Sequence, residues 1–156
     1  RSLPMSDPVT FDNVSPRFAL PLLYSAQAQK EVFVNEAFAL ADALLHCSIE
    51  GEAAAPPASP SDGQNWLVAA GATGEWAGQD QFLACRQSGN WVFIPPRDGM
   101  RVFDISTQQQ RFFFGAWRKA ASPMEPVGGI TVDAEARTAI NDLIAALRVL
   151  GIFPSV

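Results

Sequence analysis

The chain has 156 residues, 48% of them hydrophobic and 17% charged, a balance that fits one globular domain with appended segments and excludes a wholly disordered coil. Its net charge of -5 argues against a sequence-independent grip on nucleic-acid phosphates, which needs clustered Lys and Arg. No apolar run approaches the ~20 residues that span a bilayer, so no membrane insertion is expected.

Residues 1–24 carry Pro8, Pro16 and Pro21 among Phe11, Phe18, Leu20, Leu22 and Leu23. Prolines at that density block a helix interior and a central strand, which predicts an extended N-terminal arm. The segment lacks a basic start followed by an unbroken apolar run, so a chain made in the cytoplasm is expected, with Met5 reading as a natural start.

Residues 25–46 change to good helix formers, with Val34, Phe38, Ala41 and Leu45 at intervals of three and four and Ser25 as the expected N-cap. Gly51 to Gly63 is rich in Ala, Pro and Ser and predicts an extended loop. Short strand-like runs then follow at Trp66–Ala69, Gln81–Cys85, Trp91–Ile94, Met100–Ile105 and Arg111–Phe114. Residues 47–121 therefore read as a small antiparallel, Trp-rich β domain or a barrel-like meander. Gly74-Glu75-Trp76, Gly89-Asn90-Trp91 and Gly115-Ala116-Trp117 recur unevenly, which predicts a repeated hairpin habit and not a solenoid. Phe112, Phe113 and Phe114 must project to both faces of their strand, and one face is expected to be available to a partner chain.

Residues 122–130 form a breaker-rich linker. Residues 131–151 predict a helix with Thr131 as its N-cap, acidic Asp133 and Glu135 in its first turn, Arg148 near its end and Gly151 as its stop. Ile140, Leu143, Leu147 and Leu150 step by 3, 4 and 3, and Ile144 broadens the stripe, the pattern of an oligomerising helix. The expected fold class is α+β: an N-terminal arm and helix, a small antiparallel β domain, and a C-terminal oligomerising helix.

Chemistry-bearing residues are sparse. His46, the single histidine, adjoins Cys47, an awkward geometry for a catalytic pair. The acidic pairs Asp98 with Asp104 and Asp80 with Glu75 read better as turn and solvent-face residues than as glycosidase carboxylates. Gly71-Ala72-Thr73-Gly74 lacks the lysine of a phosphate loop. Two cysteines, Cys47 and Cys85, are too few for a zinc knuckle and are expected as buried free thiols. No enzyme activity, cofactor or metal is expected. Trp76 and Trp91 with Asp80 and Asn90 are the candidate carbohydrate site, flat rings beside planar polar groups, against the competing reading that tryptophan in a small sheet is core.

The run Gln27-Ala28-Gln29-Lys30-Glu31-Val32, continued by Asn35-Glu36-Ala37, Asp42-Ala43-Leu44, Gly63-Gln64-x-Trp66 and Gly71-Ala72-Thr73-Gly74-x-Trp76-Ala77-Gly78, resembles a small family of unassigned function. That family occurs in tail-fibre and spike-like proteins of tailed phages, prophages and gene transfer agents, notably in alphaproteobacteria. The resemblance covers roughly residues 16 to 105 and supplies no catalytic residues. It implies a virion or particle structural protein, commonly oligomeric, that meets other particle proteins and, in host attachment, cell-surface polysaccharide; taken with the 3-4-3 spacing of the last helix, the expected state is a homotrimer. Phe33-Val34 stands where more polar residues are frequent, and a long fibre shaft is lacking, which favours a compact adaptor or tip. The alternative is a soluble carbohydrate-binding module acting with a separately encoded enzyme.

Overall fold

The computed structural model describes Pro21, residues 30–128 and residues 133–154. The chain divides into two compact units, Arg1–Leu45 and His46–Val156. In the first, helix α1 spans Lys30–Leu44, and Phe38 and Leu45 of its expected apolar stripe are exposed. The Ser25 cap and the arm over residues 1–24 lie outside the described residues, Pro21 apart.

The second unit holds eight short strands: β1 (Ser48–Ile49), β2 (Glu52–Ala53), β3 (Asn65–Val68), β4 (Leu83–Gln87), β5 (Asn90–Ile94), β6 (Arg101–Asp104), β7 (Gln109–Phe113) and β8 (Trp117–Arg118). They form two four-stranded sheets, ordered β1-β6-β7-β8 and β2-β3-β4-β5. With a helix before and a helix after them, the fold is α+β. The sheets are mixed, which corrects the expectation of a purely antiparallel domain: β1 runs parallel to β6 and β2 parallel to β3. The physical reason is one extended segment serving both sheets. Cys47 and Ile49 accept from the Phe103 and Ile105 amides, while Gly51 and Ala53 accept from Leu67 and Ala69. Its strands are two residues each, too short for a period, and β2 lies where loop composition dominates the sequence.

Each sheet is completed by a three-stranded meander entered through an Asp-Gly turn. The Gln64 amide donates to Ser61 across Asp62-Gly63, and the Met100 amide donates to Arg97 across Asp98-Gly99. Both glycines have φ near +90°, at 89° and 88°, a conformation that strains any residue with a Cβ. The Asp62 carboxylate then accepts from the Gly89 amide at 2.9 Å and that of Asp98 from Gly115 at 2.8 Å. In both meanders, therefore, the aspartate of the entry turn holds the glycine of the closing hairpin. Of the three Gly-x-Trp sequences, two sit at hairpins, between β4 and β5 and between β7 and β8; Gly74–Trp76 instead forms a 3-10 turn, correcting the uniform hairpin reading.

Strand β7 alternates buried and exposed residues. Phe113 points inward while Phe112 and Phe114 are exposed, as strand geometry requires. The inward face also carries Arg111 and Gln109. Gln109 Nε2 donates to the Ala120 and Ile152 carbonyls at 2.7 and 3.1 Å, so its buried amide finds acceptors on two later segments.

Helix α2 spans Ala134–Val149. Thr131, the expected cap, lies outside the described residues; the observed N-cap is Asp133, whose carboxylate accepts from the Ala136 amide at 2.8 Å. At the other end the Ile152 amide donates to Leu147 and the Gly151 amide to Arg148, with Gly151 at φ 67°, the paired bonds of a Schellman stop. Gly151 is also pressed against the first sheet: a Cβ there would come within 3.1 Å of the Phe103 ring. Its carbonyl accepts from the Gln110 amide. Sheet and helix are thus stitched at the helix C-terminus, and Ile144 is 3% exposed.

Candidate functional site

Trp76 corrects the proposed sugar platform. Its relative exposure is 0%, so it offers no face to a ligand. It is the centre of a tryptophan cluster, with its ring centroid 6.5 Å from that of Trp66 and 5.0 Å from that of Trp91 in an edge-to-face arrangement. Val68 and Ala84 complete the buried part, with Ala53, Ala72 and Phe93 packed around it. A 3-10 turn brings Trp76 inward, where a hairpin would have left it on a strand face. Trp91 is half-buried, and the Arg86 guanidinium covers its ring at 5.1 Å, the geometry of a cation–π contact. The indole N–H groups of Trp66, Trp76 and Trp91 are buried and meet no acceptor among the described residues. The indole of Trp117 differs, donating to the Gln81 carbonyl at 2.8 Å.

The polar members of the expected site are engaged in turns. Asp80 accepts from the Gly71 and Ala72 amides, both at 3.0 Å. The Ala72 and Gly71 bonds hold its carboxyl below the usual range against a smaller opposing desolvation. Asn90 Nδ2 donates to the Ser88 carbonyl at 3.1 Å within the β4–β5 hairpin. The structure therefore brings Trp76 and Trp91 together, but as core and half-covered rim.

The carboxylates weighed for catalysis have structural partners as well. Asp98 holds Gly115. Asp104 is buried on β6 and accepts from Arg111 Nε at 2.7 Å and from the Ser106 hydroxyl at 2.6 Å. Arg111 Nη1 reaches Glu52 at 2.6 Å, so one guanidinium joins carboxylates of both sheets. Burial pushes the Asp104 carboxyl up, but the Ser106 and Arg111 hydrogen bonds and the guanidinium charge outweigh it and hold it below its ordinary value. Cys47 and Cys85 are buried free thiols. Burial pushes Cys47 up to about 11; burial, reinforced by Cys47, pushes Cys85 up to about 12. Both are protonated and poorly nucleophilic near neutral pH. Among the described residues no group of three or more potential metal ligands converges, and no helix is long and apolar enough to cross a membrane.

Two exposed surfaces of the second unit bear on the expected sites. On α2, the expected stripe splits. Ile144 faces inward and Leu147 is partly buried, which corrects Ile144 as an intersubunit residue; Ile140, Leu143 and Leu150 are exposed at 45%, 59% and 67%. The split arises because a stripe of this width covers more of the helix circumference than one neighbour occupies. On the first sheet, Arg101, Phe112 and Arg118 lie opposite one another across β6, β7 and β8, a row the sequence reading missed. Period-two alternation in β7 was its one visible sign; the cross-strand register was not.

The family pattern described as "Protein of unknown function (DUF2793)" matches residues 34–118, and the chain belongs to that family. No curated protein matches the chain.

Proposed function

We propose that this DUF2793 member is a non-enzymatic structural component that assembles with copies of itself through α2. The observation that carries the reading is the exposed half of the α2 stripe, Ile140, Leu143 and Leu150, at coiled-coil spacing on a helix whose other side is already occupied. Ile140, Leu143 and Leu150 are 45%, 59% and 67% exposed, so covering them with a second copy stabilises each by about 1–2 kcal/mol. The homotrimeric state is supported by the 3-4-3 spacing of α2 together with the resemblance, and the setting in a phage-like particle as tail fibre, spike or adaptor beside other particle proteins by the resemblance. A non-catalytic role is supported by the engagement of Asp80, Asp98 and Asp104 in loop clamps and an ion pair.

The test is light scattering on the full chain at tens of micromolar, roughly where weak association is visible. Leu143→Asp with Leu150→Asp should convert the oligomer to folded monomer, because the carboxylates would be buried at the contact but lie in water in the free chain. A wild-type monomer refutes the reading. It would favour the second one, a soluble carbohydrate-binding module, for which the exposed arginine–aromatic row on the first sheet is the supporting observation.

A further inference from the structure

We propose that the outer face of β6, β7 and β8 is a binding site for a carboxylate-bearing sugar unit, such as a uronic acid residue of an acidic polysaccharide. The inference stands on this sheet face and is independent of assembly through α2. Arg101, Phe112 and Arg118 are directly opposed on three neighbouring strands, so with strands about 4.8 Å apart the two arginines leave the backbone about 10 Å from each other with an aromatic ring between them. Arg101 lies over the Phe112 ring at 5.6 Å, and Arg118 lies over that of Phe114 at 5.6 Å. Arg118 is further fixed by donating to the Phe114 carbonyl at 3.0 Å. These contacts hold both guanidiniums against the sheet and so reduce the ordering cost of binding.

Lys119 adds a third cation, Gln110 a planar amide, and Ala120 and Ile152 an apolar wall around a concavity of about 430 Å³. A second concavity of about 310 Å³ shares Arg101 and Gln110 and continues past Phe103 to His46. The first volume lies in the range of small-ligand sites, ~300–1,000 Å³, and the second borders it at Arg101 and Gln110. Among the described residues no carboxylate forms an ion pair with Arg101, Arg118 or Lys119. Three cations lining one concavity give it a local positive charge that suits an anion. A carboxylate is the planar oxyanion that a guanidinium fork receives with two hydrogen bonds. Gln110 suits a hydroxyl, and the apolar wall suits the C–H face of a pyranose ring. Single-stranded nucleic acid fits less well: the Phe112 and Phe114 rings carry guanidiniums where bases would stack, and the net charge opposes a phosphate chain.

The experiment is titration of the full chain with trigalacturonate, followed by calorimetry and by amide NMR shifts. Carboxyl-reduced trisaccharide, inorganic phosphate and a short oligothymidylate are the comparison probes. Saturable trigalacturonate binding is expected, with shifts confined to the Arg101, Gln110 and Arg118 neighbourhood and no saturation by the reduced sugar. Arg101→Gln and Arg118→Gln should each weaken it about tenfold, the size of one charge-assisted hydrogen bond lost. Arg101→Lys should fall between, because the charge stays and the fork is lost. Arg86→Gln, on the other sheet, should leave binding unchanged, with tryptophan fluorescence verifying the fold of every variant. Absence of binding, equal affinity for the reduced sugar, binding of phosphate as tight as that of trigalacturonate, tighter binding of the oligonucleotide, or indifference to both Gln substitutions would each overturn the assignment. Light scattering on the same samples reports assembly separately, so the two readings fail independently.

Discussion

Arg111→Met tests the ion network that joins the sheets. Asp104 has a relative exposure of 0%, and Arg111 Nε and Nη2 both meet its Oδ2, at 2.7 and 2.6 Å. Removing the guanidinium leaves a buried carboxylate with only Ser106 and local backbone donors, a situation that typically costs about 3–5 kcal/mol. Against a total stability of about 5–15 kcal/mol, that is a large fraction. Glu52→Gln removes the other end of the same network, but the Glu52 side chain is 42% exposed. Water screens that contact, so the expected loss is about 1 kcal/mol or less. Urea unfolding followed by tryptophan emission measures both.

The pH dependence supplies an independent check. The Asp104 carboxyl is held below its unfolded value, so in the wild type its contribution is present above the unfolded carboxylate pKa and is lost as pH falls through the lower folded one. In Arg111→Met, burial is no longer balanced by the guanidinium and the folded carboxyl moves up. The deficit against wild type should therefore shrink as pH falls through the ordinary carboxylate range. The double variant Asp104→Asn with Arg111→Met should recover much of the loss. If Arg111→Met costs no more than Glu52→Gln, and the deficit is the same at every pH, Asp104 is not the buried, ionised hub described above.

Trp76→Ala should destabilise the second unit by about 3–5 kcal/mol, as a fully buried aromatic does, whereas Trp91→Ala should cost clearly less; chemical denaturation would rank them. Cys47 and Cys85, at about 11 and about 12, should stay unreactive towards a thiol reagent near pH 8 and react together on unfolding, which a stopped titration with and without denaturant reads directly. Gly151→Ala should lower the midpoint of unfolding, because the new Cβ meets the Phe103 ring at 3.1 Å from a backbone with φ 67°; an unchanged midpoint would mean that the helix end is not seated on the sheet.

Local patterns settled what local forces control. The three-and-four spacing of Ile140, Leu143, Leu147 and Leu150 specifies α2, and its stop follows from the left-handed freedom of Gly151. Strand alternation puts Phe113 inside and Phe112 outside whatever the neighbours are. The thiols were legible as buried from their apolar surroundings. The fate of Trp76 was not, because a sugar platform and a core tryptophan present the same short sequence beside a glycine turn; the 3-10 turn and two other rings decide between them. The polar network was equally hidden: Arg111 meets Asp104 seven residues away but Glu52 fifty-nine residues away. Only closure of a segment shared between two sheets brings those charges together. The row Arg101–Phe112–Arg118 likewise exists through register alone, since a slip of one residue in either strand pair would turn one arginine to the opposite face.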